Sequence, residues 1–183
     1  RFTATIGRMK FDEAGLPIGD IVLASNANPT VSEFLVGGEW RPRPSIATLA
    51  SAMDVGNPSN MERLRTLFPD EARLRARVAA VPVSDDEIRD TIRRDYRELG
   101  QTWCPHTATA ACAYRGLPVQ RRAGRWVLVA TAHPAKFNDI VEPLIGARVP
   151  VPPALDALLA LPSVQTQIEP GLEALRTALG GRS

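Results

Sequence analysis

One stretch constrains the fold more than any other: residues 126–137, WVLVATAHPAKF. Trp126, Val127, Leu128, Val129 and Ala130 are apolar without alternation, which predicts a strand covered on both faces. The run stops at Thr131, and a histidine, a proline and a lysine follow within five positions. Open parallel sheets bind ligands beyond the carboxyl ends of their strands, so polar groups gathered there mark a candidate crevice. The surrounding chain supplies further elements. Residues 18–24 read as a buried strand ending at Ser25-Asn26, and residues 77–83 as another, with Pro82 awkwardly inside it. Residues 31–36 predict a short helix closing on Gly37-Gly38. Prolines keep residues 41–44 extended. A helix is expected over residues 60–68.

The clearest helix runs from Ser84 to Leu99. Ser84 and Glu87 have capping-box spacing, Ile88, Ile92, Tyr96 and Leu99 make one apolar stripe, and Gly100 stops it. Alanine-rich residues 107–114 suit tight packing on a sheet. Helices are also expected at residues 138–145, 156–161 and 171–179. Strands alternating with helices predict an α/β fold, a mostly parallel sheet flanked by helices. Residues 1–150 would form its body and residues 151–183 a helical tail of the same domain, since no composition shift or repeat marks a second one.

Composition narrows the function. A chain of 183 residues, 44% apolar and 23% charged, can bury a globular core. A net charge of +2 gives no strong field for nucleic acid or membrane. Arg121, Arg122 and Arg125 lack the stacking aromatics of a nucleic-acid site and read as a solvated loop. No apolar run is long enough to span a bilayer, and no signal peptide is visible. Cys104 and Cys112 make no disulfide framework, which fits a reducing cytoplasm. Nearly all cations are arginine, the lysines being Lys10 and Lys136, as in a GC-rich bacterial genome. The start at Arg1 hints at sequence upstream.

Three clusters could carry chemistry. Thr131 and His133 either cap a helix that Pro134 opens or aim polar atoms at a bound ring or phosphate. Residues 52–60 place Met53, Asp54, Asn57, Ser59 and Asn60 before a helix start, either as turn and cap or as a site for an anion. Cys104-Pro105-His106 has a thiol and an imidazole but no identifiable third group, and no metal-ligand spacing occurs.

Four blocks together resemble threonine synthases, in order and at fitting spacing. GLPIGDIVLASNAN (residues 15–28) is similar to the family's strand-end block. RPRPSIATLASAMDVGNPSNMER (residues 41–63) resembles its A-M-D-[IV]-x-x-P-[SN]-N signature. SDDEIRDTIRRDYRELGQTWCPHTATA (residues 84–110) resembles its helix and P-H-[TA]-A loop. VATAHPAKF (residues 129–137) matches its most distinctive block. The resemblance implies part of the large domain of a pyridoxal-phosphate (PLP) enzyme of fold type II, the tryptophan-synthase-β-like fold. It also implies conversion of O-phospho-L-homoserine and water to L-threonine and phosphate.

By that resemblance Thr131 offers its hydroxyl to the pyridine nitrogen, and Phe2 belongs to the cup for the cofactor phosphate. Asn26, Asn28, Asp54, Asn57, Ser59, Asn60, His106 and His133 line the cleft or meet the substrate. The family's Schiff-base lysine lies in an upstream block, so Lys136 is expected to be structural. An upstream part of the same protein becomes a required partner, and an incomplete sheet edge leaves oligomerisation open. Some positions depart from the family. Arg1-Phe2-Thr3-Ala4 stands where it has N-F-G-[ND], Thr3 replacing a glycine that admits phosphate to the backbone. Pro29 replaces an Asp, and Cys104 an Asp or Glu. These departures sustain an alternative: a non-catalytic relative kept as a binding or interaction module.

Overall fold

The computed structural model describes residues 21–59 and 61–180. Phe2, Asn60 and the Arg1-Phe2-Thr3-Ala4 segment lie outside them. The chain divides into two compact units after Val149.

In the first unit, β1 (Ile21–Ser25) lies parallel to β2 (Val78–Pro82), with Ile21 opposite Val78 and Ser25 opposite Pro82. Pro82 is tolerated because it ends its strand, where no ladder N–H is needed. Between the strands come α1 (Thr30–Gly37), a 3₁₀ turn (Ser51–Met53), α2 (Met61–Leu67) and α3 (Glu71–Arg77). Parallel strands require such a crossover. Gly38 closes α1 with a positive φ of 79°, and its N–H reaches the Phe34 carbonyl. α3 has no strong apolar period and is not expected from the sequence; Asp70 caps it by accepting the Ala72 N–H. Phe34, Leu35, Met61, Leu64, Leu74 and Val78 form the core between these helices and the sheet, with Ile21 and Leu23 packed against them. Fully burying a side chain such as Phe34 contributes roughly 1.5–3 kcal/mol.

After β2 come α4 (Asp85–Leu99), α5 (Pro105–Gly116) and a short turn of helix, α6 (Val119–Arg122). A 3₁₀ turn (Pro134–Phe137) leads directly into α7 (Asn138–Ile145). The capping box is present: Ser84 accepts the Glu87 N–H, and Glu87 accepts the Ser84 N–H. α4 packs on α5 and α7, and α5 packs on β1. Small residues permit that approach, Ala108, Ala111 and Ala113 being buried. The stripe of α4 holds at Ile88 and Ile92, both fully buried, but Leu99 is exposed where the helix outruns its neighbours.

The expected strand at residues 126–130 is not formed. The segment has no regular secondary structure, with Trp126 and Leu128 half-buried and Val127 and Val129 exposed. Trp126 packs on Tyr114 of α5, with ring centroids 5.8 Å apart. Residues 124–132 make no backbone–backbone hydrogen bond among the described residues. A strand exists only with a neighbour to satisfy its peptide groups, and among the described residues none lies alongside.

The second unit contains α8 (Pro153–Leu159) and α9 (Leu172–Gly180). Neither buries a residue, and Leu158, Leu159, Leu172, Leu175 and Leu179 are exposed.

Candidate active site

Two constructions within the first unit bear on function. The first is a polar hub at the carboxyl end of β1. The Asn26 amide, fully buried, donates to Asp54 Oδ1 at 2.6 Å, Thr48 Oγ1 at 2.8 Å and the Ala50 carbonyl at 3.3 Å. Asn28 donates to Asp54 Oδ1 at 3.3 Å, to Asn26 Oδ1 at 3.1 Å and to the Ile46 carbonyl at 3.0 Å. Its own carbonyl accepts the Ile46 N–H at 2.9 Å. Thr48 closes the ring, its N–H donating to Asp54 Oδ2 at 3.0 Å and its hydroxyl to Oδ1 at 2.7 Å. Asn26, Asn28 and Asp54 thus come together, and their polar atoms are spent on one another and on residues 46–50. That pins the loop over the strand end.

Gly56 locks the same loop from below. Its N–H meets Ser45 Oγ at 2.9 Å, and its carbonyl accepts from Thr30 Oγ1 at 2.7 Å and the Arg43 N–H at 3.1 Å. A Cβ at Gly56 would fall 1.9 Å from the Arg43 carbonyl oxygen, so no larger residue fits. Asn57 and Ser59 follow on the exposed surface before α2. They take no part in the hub.

The second construction is a cleft of about 410 Å³ lined by Thr102, Trp103, Cys104, Thr107 and residues 130–134. Clefts that hold small molecules run from roughly 300 to 1,000 Å³. Two helix starts shape it. Cys104 caps α5: its Sγ accepts the Thr107 N–H at 3.4 Å and lies 3.2 Å from Thr107 Oγ1. His133 caps the 3₁₀ turn that Pro134 opens, its Nδ1 accepting the Ala135 N–H at 3.2 Å. Thr131 is exposed in the cleft, and its hydroxyl makes no hydrogen bond among the described residues. Thr131 is therefore not the cap; its hydroxyl is left for a ligand, as is the Nε2 of His133.

His106 ties the two constructions together. From the first turn of α5 its Nε2 accepts the Ala52 N–H at 3.0 Å, and its ring lies 5.0 Å from that of Phe137. That one imidazole therefore touches both the 3₁₀ turn after the hub and the turn after the cleft. Lys136 is exposed and does not line the cleft.

Thr48, Gly56, Asp95 and Trp103 were not singled out by sequence. Asp95 carried a signal: it falls on the helical period of Ile88 and Ile92, and a carboxylate on an apolar face needs partners. It is 1% exposed and accepts the Trp103 indole N–H at 2.9 Å.

The chain is similar to known proteins in sequence and in fold. Residues 107–179 match the family described as threonine synthase, C-terminal. Threonine synthase of Serratia marcescens is 39% identical over 168 residues, which cover 91% of this chain and 38% of that protein. The Escherichia coli (strain K12) enzyme is 37% identical over 163 residues, 88% of this chain and 37% of its own. The crystal structure of threonine synthase from Escherichia coli superposes with a TM-score of 0.76 at 34% identity, covering 94% of this chain and 40% of the other. This chain corresponds to the carboxyl-terminal part of threonine synthases. It spans well under half the length of these relatives. A PLP-bound threonine synthase from Brucella melitensis shares the fold at 23% identity, with a TM-score of 0.77 over the whole chain and 45% of the other. The fold is thus the α/β fold of the threonine synthases, of fold type II, as the four sequence blocks imply.

Proposed function

We propose that this chain is the carboxyl-terminal part of a threonine synthase that converts O-phospho-L-homoserine and water to L-threonine and phosphate with PLP. One observation carries the reading: the Thr131 hydroxyl makes no hydrogen bond among the described residues and lies in a cleft of small-molecule size, at the position where the family resemblance puts the partner of the pyridine nitrogen. The fit is chemical as well as spatial. A hydroxyl can donate to a ring nitrogen that carries no proton, and Trp103 gives the same cleft a broad aromatic side chain. When bound, PLP supplies an electron sink for carbanions next to it.

The chain's own residues take the following roles. Thr131 holds the ring nitrogen, and a neutral partner there suits elimination and replacement over transamination. His133, at the rim of the cleft, and His106, between cleft and hub, are polar groups around the substrate. Asn26, Asn28 and Asp54 set the loop that carries Asn57 and Ser59, and the family resemblance assigns these two and Asn60 to the substrate. Phe2 belongs to the phosphate cup, which upstream sequence completes together with the Schiff-base lysine. Residues 1–150 form part of the PLP-binding domain and residues 151–183 its tail. Among the described residues, no helix is long and apolar enough to cross a membrane. A bacterial, cytoplasmic setting accords with the thiols and the arginine bias.

The test is phosphate release from O-phospho-L-homoserine by the complete protein, with and without Thr131→Val. A hydrogen bond between neutral groups contributes about 0.5–1.5 kcal/mol, so turnover should fall roughly 2- to 12-fold. The thermal midpoint should stay put because the side chain is exposed. Equal turnover in the variant would remove Thr131 from the role. No turnover in the parent, with PLP bound, would favour the binding-module alternative.

A further inference from the structure

Trp103 is held more firmly than packing requires. Gly100 ends α4 in the left-handed conformation (φ 64°), its N–H bonding to the Tyr96 carbonyl and the Gln101 N–H to the Asp95 carbonyl. This pair of bonds turns the chain back on itself, so Trp103 returns over the last turn of the helix. There Asp95 Oδ2 accepts the indole N–H at 2.9 Å. Arg115 of α5 bonds the other oxygen, with Arg94 Nε 3.6 Å from it. A buried carboxylate is costly and adds little net stability even when paired, so specification of geometry is the better account of it. With both oxygens engaged, the indole cannot rotate without stranding one of them. Its polar edge is committed to Asp95, which does not line the cleft, and the rest of the side chain is left to form the wall there.

We propose that Trp103 is the aromatic wall against which the cofactor's heteroaromatic ring packs, and that Asp95, backed by Arg115, is the residue that positions it. The inference rests on the assignment of this cleft to the PLP ring. Offset or edge-on contact between two flat rings is favourable, and it depends on a fixed tilt. A hydrogen-bonded indole supplies that tilt where a freely rotating side chain would not.

The probe is 4′-deoxypyridoxine 5′-phosphate, which has the ring and phosphate of PLP but no aldehyde, so no lysine is needed to hold it. The complete protein is made with every tryptophan except Trp103 replaced by Phe, Trp40 and Trp126 included. Binding is followed by calorimetry and by Trp103 emission in parallel. The probe should quench Trp103 emission with the same Kd that calorimetry gives. Asp95→Asn should weaken binding about fivefold and shift the emission of the free protein. In the wild-type background, Trp103→Phe, which keeps an aromatic face but loses the N–H held by Asp95, should cost about the same fivefold in Kd as Asp95→Asn, while Trp103→Leu should lose about twentyfold or more. That ring-specific rescue keeps the idea testable if Asp95→Asn fails to fold. Calorimetric binding with unchanged Trp103 emission, or equal loss in Phe and Leu, would overturn the wall while leaving the cofactor assignment standing. No binding at millimolar probe would overturn both.

Discussion

Asp54 is the residue whose removal should be felt most in the hub. Its Oδ1 accepts from Asn26, Asn28 and the Thr48 hydroxyl, and its Oδ2 from the Thr48 N–H. Asp54→Ala takes that acceptor from four donors: the Asn26 and Asn28 amides keep the Ala50 and Ile46 carbonyls, while the Thr48 N–H and hydroxyl keep no acceptor among the described residues. Each orphaned donor costs about 1–3 kcal/mol, the weakened amides add to that, and because all four share one network the costs overlap. A loss of about 3–4 kcal/mol follows. For a chain of this size that is about 6–16 °C in midpoint, at 2–4 °C per kcal/mol. Asp54→Asn separates the charge from the hydrogen-bonding pattern. Its carbonyl can take the Oδ1 place with three donors intact, while its NH₂ then faces the Thr48 N–H, so about 1–2 kcal/mol should be lost. Urea unfolding of both variants and the parent, with the slope checked for constancy, measures this. Equal losses in Ala and Asn, or a loss under about 1 kcal/mol in Ala, would refute the account of the hub as a shared acceptor.

Gly56→Ala should be as damaging by another route: its methyl collides with the Arg43 carbonyl and must break some of the three hydrogen bonds around Gly56, about 2–4 kcal/mol by urea unfolding. Ser84→Ala removes the α4 cap and should cost about 1 kcal/mol in the same assay. The backbone N–H and then the hydroxyl of Ser84 hold the Glu87 carboxyl below its ordinary value of 4.5. A depressed folded-state value stabilises above pH 4.5 and loses that contribution as pH falls through the lowered value. Stability measured from pH 6 to pH 3 should therefore drop less steeply in Glu87→Gln than in the parent; parallel curves would contradict the sign. Lys136→Ala should leave both the unfolding midpoint and PLP binding unchanged, since the side chain is exposed and off the cleft; loss of bound PLP on spectrophotometric titration would make that lysine a ligand.

Local rules carried the sequence reading furthest where one element sufficed. The Ser84–Glu87 box, the Gly37-Gly38 and Gly100 stops and the Ile88–Ile92 stripe each involve neighbours within a turn or two, and each is present. Asn26, Asn28 and Asp54 were legible as polar residues at a strand end and a helix approach. Their mutual bonding was not, because it joins positions more than 25 residues apart through Thr48, a residue with no distinguishing context. Trp103 is missed for the same reason: its role depends on Asp95 and Arg115 meeting across two helices. α3 was invisible because Glu71–Arg77 buries only Leu74.

The failed strand at residues 126–130 teaches something different. An apolar run states what a segment needs, namely cover on both faces and partners for its peptide groups; it cannot say where they come from. Here one face has found Tyr114, while Val127 is 85% exposed. Thr131 sits at the end of that segment, anchored on its far side by the His133 cap. Its hydroxyl is therefore placed from one direction only, and a second anchor must come from whatever pairs with residues 126–130. If upstream sequence supplies that strand, amide exchange across residues 127–131 should be slow in the complete protein and fast in the isolated 183 residues. The amides of Ile88 and Ile92 should be protected in both, since α4 bonds to itself. Slow exchange at residues 127–131 in the isolated chain would mean that the anchor is already present, and the geometry of Thr131 would then owe nothing to the rest of the protein.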